Sequence, residues 1–335
     1  MTRSRLLLTG VLTLGTLFVP AAAAMGSPKL ASPACTDSWK APTSGLWSDA
    51  GNWTAGVPGE AGPVAACITV SGTYTVTLAP WSIGTADPNH QFAAITSLAL
   101  GAASGPGEQT LVVLGQSSPN DSNEQVNTTG LSTTAPSLIT AHGRLVLSST
   151  DGGEKAKGVP YGGDAVVSGA PFTNYGAVTM TVQDANNKAA NYTQFYSALT
   201  NEPKASVTDQ SGLLDVNSVT NDGTWTVAPG ASMDLAFQTP GSGYAAGVFT
   251  NSGTINNGGT ISAQGATWSQ LGGAVAGNAV ALQVGTKLVD HAGAAKFVVN
   301  VESASLVGIV PKGQTITVVG EVYGYQGENY NSTTL

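Results

Sequence analysis

The chain has 335 residues, 12 basic and 20 acidic, for a formal net charge of −8, and charged residues make up only 10% of it, against about 25% in ordinary domains. With 41% hydrophobic residues, this composition excludes disorder, which needs low hydrophobicity and high charge, and nucleic acid as a partner, which an acidic surface repels. It also argues against surface helices, whose wet faces need Lys, Glu and Arg, and leaves an all-β chain whose solvent face is Thr, Ser, Asn and Gly.

The first residues read as a secretory signal. Arg3 and Arg5 supply a positive start, "LLLTGVLTLGTLFV" (6–19) an apolar run, and Ala22-x-Ala24 a cleavage site. The run is 14 residues long, short of the roughly 20 a membrane helix needs. Cleavage after residue 24 leaves 10 basic and 20 acidic residues, a net of −10. No later run is long enough to span a membrane, so no insertion is expected after cleavage. Cys35 follows "ASPA", with Ser where a lipid-attachment signal wants Leu, so no lipid anchor is expected.

The next stretch holds Trp39, Trp47 and Trp53, three of the six tryptophans in the chain. It is bracketed by Cys35 and Cys67, the only cysteines. In an exported chain an even count suggests a disulfide, and two cysteines allow one intramolecular pairing. That bond would close a loop around Trp47 and Trp53, worth on the order of 3–4 kcal/mol in the chain-entropy account. The tryptophans have two readings. They pack as a lid on the fold, since aromatics dominate core burial, or Trp47 and Trp53 form a wet platform on which a sugar ring stacks. Trp81 is expected in the same cap.

From about residue 68 short alternating apolar runs recur: "TYTVTL" (73–78), "ITSLAL" (95–100), "TLVVLG" (110–115), "GRLVLSS" (143–149), "GAVTMTV" (176–182), "GTWTVA" (223–228), "GVFTNSGTI" (247–255), "GTISA" (259–263), "KFVVNV" (296–301), "SLVGIV" (305–310) and "QTITVVGEV" (314–322). Each is rich in Val, Ile, Thr and Leu and bounded by Gly, Asn or Pro, which is the strand signal. "NYTQFYSALTNEP" (191–203) reads as a short helix or a loop.

A loose repeat runs through these strands. "NYGAVTM", "NDGTWTV", "NSGTINN" and "NGGTISA" share Asn-x-Gly, and "AHGRLVL" keeps the Gly. The gaps between Gly143, Gly176, Gly223, Gly253 and Gly259 are 33, 47, 30 and 6, so there is no strict period. Asn and Gly tolerate positive φ and so suit a sharp corner, and the β-branched run after them suits a flat strand. Two architectures fit, an antiparallel meander or sandwich and a parallel β-helix. "NSGTINNGGTISA" favours the coil, because two short strands around one corner make two sides of a rung. Stacked rungs can also ladder their asparagines.

The Asn-x-Gly-Thr units resemble those of secreted bacterial β-helix proteins of the autotransporter-passenger and haemagglutinin-like adhesin type. "GLWSDAGNWTAGVPG" (45–59) and "ACITVSGTYTVTL" (66–78) resemble the tryptophan-rich opening of such proteins. The resemblance implies a right-handed parallel β-helix acting as an adhesin. No alternating, aromatic-girdled barrel strands of the kind that cross a membrane are read here, so only the passenger-like fold carries over.

Candidate chemistry is sparse. The mature chain has one arginine, Arg144, sharing a strand face with His142; a lyase could use such a pair, but a solvent-facing alternation on an exposed strand is the reading taken here. His90 and His291 stand apart from any metal-ligand spacing. Asp215, Asp222 and Asp234 fall in one region, and Asp215 with Asp222 could approach across a corner as a glycosidase pair, although Asp222 also suits a turn. "PNDSNEQ" (119–125) places Asp121 and Glu124 among Asn120 and Asn123, hard oxygen ligands of the kind calcium takes, without the order of a calcium-binding loop. No cofactor or metal is expected. The expected organisation is a signal peptide (1–24), an N-terminal cap (25–92), β-helix repeats (93–300) and a C-terminal β cap (301–335). The expected function is a noncatalytic scaffold or adhesin whose partner is a surface glycan or an extracellular protein. A polysaccharide lyase or glycoside hydrolase on the same fold, and a carbohydrate-binding module using Trp47 and Trp53, are the alternatives.

Overall fold

The computed structural model describes residues 33–79, 90–115, 128–149, 163–182, 192–235, 237–239, 243–300, 304–319 and 333–334. The signal segment, Trp81, Asp121 and Glu124 lie outside them, and of His90 only the backbone is described.

Among the described residues the strands wind into a parallel β-helix with three long sheets. The first sheet holds 11 strands, from Asp37–Ser38 to Ser305–Gly308; the second holds 9, from Gly45–Leu46 to Ala274–Gly277. The third holds 11, from His90–Ile95 to Thr315–Val319, with Thr333–Thr334 antiparallel on its last edge. One coil shows the path: Gly212–Val216 in the third sheet, Ser218–Asn221 in the first, Thr224–Val227 in the second, then Ala231–Leu235 in the third again. All pairing along the three stacks is parallel apart from that terminal strand, which rules out the meander. Strands from both expected caps belong to the same stacks: those at 37–78 pair in the first and second sheets, and those at 305–319 in the first and third.

Alternation sets which side chains enter the core, because successive residues of a strand face opposite ways. On the first sheet the inward column is Phe172, Leu199, Val219, Phe249, Trp268 and Leu288, each in register with the next and each buried. Phe249 and Trp268 stack with ring centroids 4.5 Å apart and planes 5° from parallel. Within the segment 191–203, the described part from Tyr192 to Asn201 is mostly strand. It forms strands Tyr192–Phe195 and Leu199–Asn201. A corner at Tyr196–Ala198 turns the chain so that Phe195 and Leu199, four apart, both face inward, which imitates a helical spacing.

Beside the apolar column runs a buried amide column. Asn174 Nδ2 donates to Asn201 Oδ1 (2.9 Å), Asn201 Nδ2 to Asn221 Oδ1 (2.8 Å), Asn221 Nδ2 to Asn251 Oδ1 (2.9 Å) and Asn251 Nδ2 to Gln270 Oε1 (3.3 Å). The second hydrogen of the first three amides goes to a backbone oxygen: Ser206 (3.1 Å), Thr224 (3.2 Å) and Thr254 (3.4 Å). The asparagine ladder is thus real, and it ties corner to corner along the stack. Asn257, the fourth Asn of the repeat, stands in another column, its Nδ2 donating to Asn278 O at 3.1 Å.

The repeat glycines have a different reason from the one expected. Gly143, Gly176, Gly223, Gly253 and Gly259 do not have positive φ. They sit where the previous coil's backbone passes so close that no Cβ fits. A Cβ at Gly253 would run into the carbonyl oxygen of Gly223, and one at Gly176 into that of Gly143. The irregular gaps have three causes: Gly176 and Gly223 lie two coils apart, Gly253 and Gly259 stand at successive corners of one coil, and insertions lengthen some coils. Ser206 and Thr224 are register partners one coil apart, 18 residues; from Thr224 to Thr254 a hairpin, Phe237–Thr239 with Gly243–Ala245, lengthens the coil to 30.

The N-terminal end of the stack is closed. Cys35 and Cys67 are bonded, with Cα atoms 5.7 Å apart. Trp39, Trp47 and Trp53 are 1%, 0% and 0% exposed and belong to the same buried cluster as Ile68, Tyr74 and Val76. Trp53 meets Trp39 and Trp47 edge-on at 5.1 and 4.8 Å, and Trp39 stacks on Tyr74. Each indole N–H finds a carbonyl: Thr43 for Trp39, Pro58 for Trp47 and Trp47 for Trp53. Gly59 lies against the backbone of Ala94 on the third sheet's edge strand. The segment therefore supplies the first strands of two sheets and approaches the edge of the third, where bare edges would otherwise recruit other chains. At the other end, Leu306, Val307 and Ile309 are exposed.

Candidate functional site

The outward positions of the third sheet bring two carboxyls together. Strands Gly212–Val216 and Ala231–Leu235 alternate with Leu214 and Met233 inward, so Asp215 and Asp234 face outward. They are register partners on adjacent parallel strands, which lie about 4.8 Å apart. Gln194 is the partner of Asp215 on the strand before, and Ser262 that of Asp234 on the strand after. Partial burial, then the negative charges of Asp234 and Asp164, push the Asp215 carboxyl up to about 7. Burial also raises Asp234, and its hydrogen bond with Ser262 works the other way. Neighbouring like charges disfavour ionising both carboxyls, which acts in the same direction as burial on Asp215.

The pairing of Asp215 with Asp222 is not found. Asp222 stands at the corner between the first and second sheets, where its charge, after burial, raises Glu202. The sequence offered Asp234 as well; the direct pairing of the two third-sheet strands decides between them.

His142 and Arg144 each contact other residues. His142 Nδ1 lies 3.2 Å from the Gly107 carbonyl oxygen. Arg144 reaches across neighbouring strands, donating to Thr179 Oγ1 at 3.3 Å and lying 3.8 Å from Glu108 Oε1. Both contacts tie one coil to the next. Trp47 and Trp53 expose no ring face, whereas sugar stacking needs one open. Among the described residues no group of three or more His, Cys, Asp or Glu is placed to hold a metal ion.

The third feature is a continuous hydroxyl column on the outer face of the first sheet. Thr173, Thr200, Thr220, Thr250 and Ser269 follow one another in register. No charged side chain interrupts it. The triplets "FTN", "LTN", "VTN", "FTN" and "WSQ" carry this column and the amide ladder together. Apolar-Thr-Asn was the signal to look for. It also includes Asn201, which the Asn-x-Gly pattern missed because Glu202 and Pro203 follow it.

Comparison of the chain with family models, with curated proteins and with solved structures found no match.

Proposed function

We propose that the chain is an exported, noncatalytic β-solenoid scaffold that stands at a cell surface or in an extracellular matrix and binds surface glycan or extracellular protein in the manner of an adhesin. The carrying observation is the outer face of the first sheet, a column of in-register, partly exposed hydroxyls at Thr200, Thr220, Thr250 and Ser269. Many equivalent weak donors and acceptors on a rigid support gain strength by acting together, and an uncharged face suits a neutral polyhydroxyl or peptide surface. The apolar leader and the disulfide support export to an oxidising compartment. Among the described residues no helix is long and apolar enough to cross a membrane.

The test is protease shaving of intact producing cells, combined with binding of the purified chain to arrayed glycans and matrix proteins. Accessibility on intact cells or release to the medium, with binding lost in Thr220→Lys and Thr250→Lys, is expected. A chain retained in the cytoplasm with reduced Cys35 and Cys67 would overturn the reading. A second reading, glycan cleavage, is favoured by the Asp215–Asp234 pair. Both carboxyls face outward from adjacent strands, and glycosidases use such carboxyl pairs.

A further inference from the structure

Strand Ser206–Asp209 alternates so that Val207 and Asp209 face inward. An aspartate therefore occupies a position that is apolar in the neighbouring coils: Met180 is its register partner on one side and Val227 on the other. Its side chain is fully buried, and neither carboxyl oxygen has a hydrogen-bond partner. The strands packed around it contribute the apolar inward groups Val178, Met180, Val207, Val227, Leu214 and Met233, together with Trp225, whose buried Nε1–H is likewise unpaired. The titratable groups of the adjoining third sheet, Asp215 and Asp234, point outward, and Glu202 and Asp222 stand at the corner with the first sheet. Among the described residues no cation faces Asp209. A carboxylate in such a place has neither water nor a counter-charge.

We propose that Asp209 makes the solenoid a pH-dependent structure, locked while its carboxyl holds a proton and loosened around strand Ser206–Asp209 when that proton is lost to solvent. The rod is then firmest in mildly acidic surroundings and opens locally in alkaline ones. Burial holds the proton on the folded carboxyl up to about 8, whereas a free aspartate loses it near 3.8. Between those limits the folded state binds more protons than the unfolded one, so stability falls as pH rises. The contribution is complete below the lower limit and gone above the upper one. Within the window the unfolding constant rises by up to about tenfold per pH unit, less where the strand relaxes or admits water.

The experiment follows urea unfolding of the full chain from pH 5 to pH 9 in wild type, Asp209→Leu, Asp209→Asn and, as control, Glu60→Gln at an exposed position. Leu and Asn cannot lose a proton there. The wild-type unfolding constant should rise at least tenfold from pH 5 to pH 8 more than that of either Asp209 variant, and Glu60→Gln should retain the wild-type rise. An identical rise in wild type and both Asp209 variants overturns the proposal. If neither variant folds, native-state hydrogen exchange of the wild type decides. After correction for intrinsic exchange, Ala177–Val182, Ser206–Asp209 and Thr224–Val227 should open at least tenfold more at pH 9 than at pH 6. Unchanged protection there overturns it.

Discussion

Replacing Asn221 with Ala cuts the amide ladder at its centre. Asn221 accepts from Asn201 at 2.8 Å, and donates to Asn251 Oδ1 at 2.9 Å and Thr254 O at 3.4 Å. Asn201, Asn221 and Asn251 are all 0% exposed, so water does not replace what is lost. Ala leaves one hydrogen of Asn201 without its acceptor and Asn251 Oδ1 without its donor. Orphaned buried groups cost about 1–3 kcal/mol each, and the vacated amide volume adds a smaller cavity term, so about 3–5 kcal/mol is expected in total. Asn256→Ala is the control. Asn256 is exposed on the second sheet one strand away, and its loss should fall within about 0.5 kcal/mol. Urea unfolding followed by circular dichroism measures both. A loss below about 1 kcal/mol at Asn221, or equal losses at the two positions, would refute the ladder as a stabilising element.

Other outcomes follow from the cap and the glycine spine. Thiol titration of the unfolded, unreduced chain should find no free sulfhydryl, and Cys35→Ser with Cys67→Ser should lower stability by about 3–4 kcal/mol. Trp47→Ala and Trp53→Ala should each cost about 3–5 kcal/mol and promote self-association through the uncovered sheet edges; wild-type stability in both would count against the lid. Gly253→Ala should cost about 1–3 kcal/mol through overpacking against the Gly223 carbonyl, whereas Gly272→Ala, with open space around it, should be tolerated; equal melting temperatures would contradict the close approach.

The coil was legible where corner and strand chemistry coincide. In "VFTNSGTINNGGTISA" (248–263) three strands and two corners follow one another without insertion, and alternation alone assigns Phe249, Ile255 and Ile261 to the core. The period was not legible because coils differ in length by whatever is inserted at their corners, as the hairpin at 237–245 shows. The role of the repeat glycines was hidden for a different reason. Close approach of a preceding coil is a tertiary fact, and a local string cannot distinguish it from a need for positive φ. The carboxyl pair was missed because distance along the chain misleads in a solenoid: Asp222 is seven residues from Asp215 but turns away at a corner, while Asp234, a full coil on, returns beside it. Asp209 could have been read from "SVTD", where period two puts an acid on the face of Val207.

The scaffold reading meets its sharpest rival at Asp215 and Asp234, and one assay separates them. Purified chain is incubated with a panel of neutral and acidic polysaccharides across pH 5–8, and new reducing ends and unsaturated sugars are measured for wild type, Asp215→Asn and Asp234→Asn. A noncatalytic scaffold releases neither product, and the variants match the wild type. Product release by the wild type that disappears in Asp215→Asn or Asp234→Asn would contradict the account and make the outer face of the third sheet an active site.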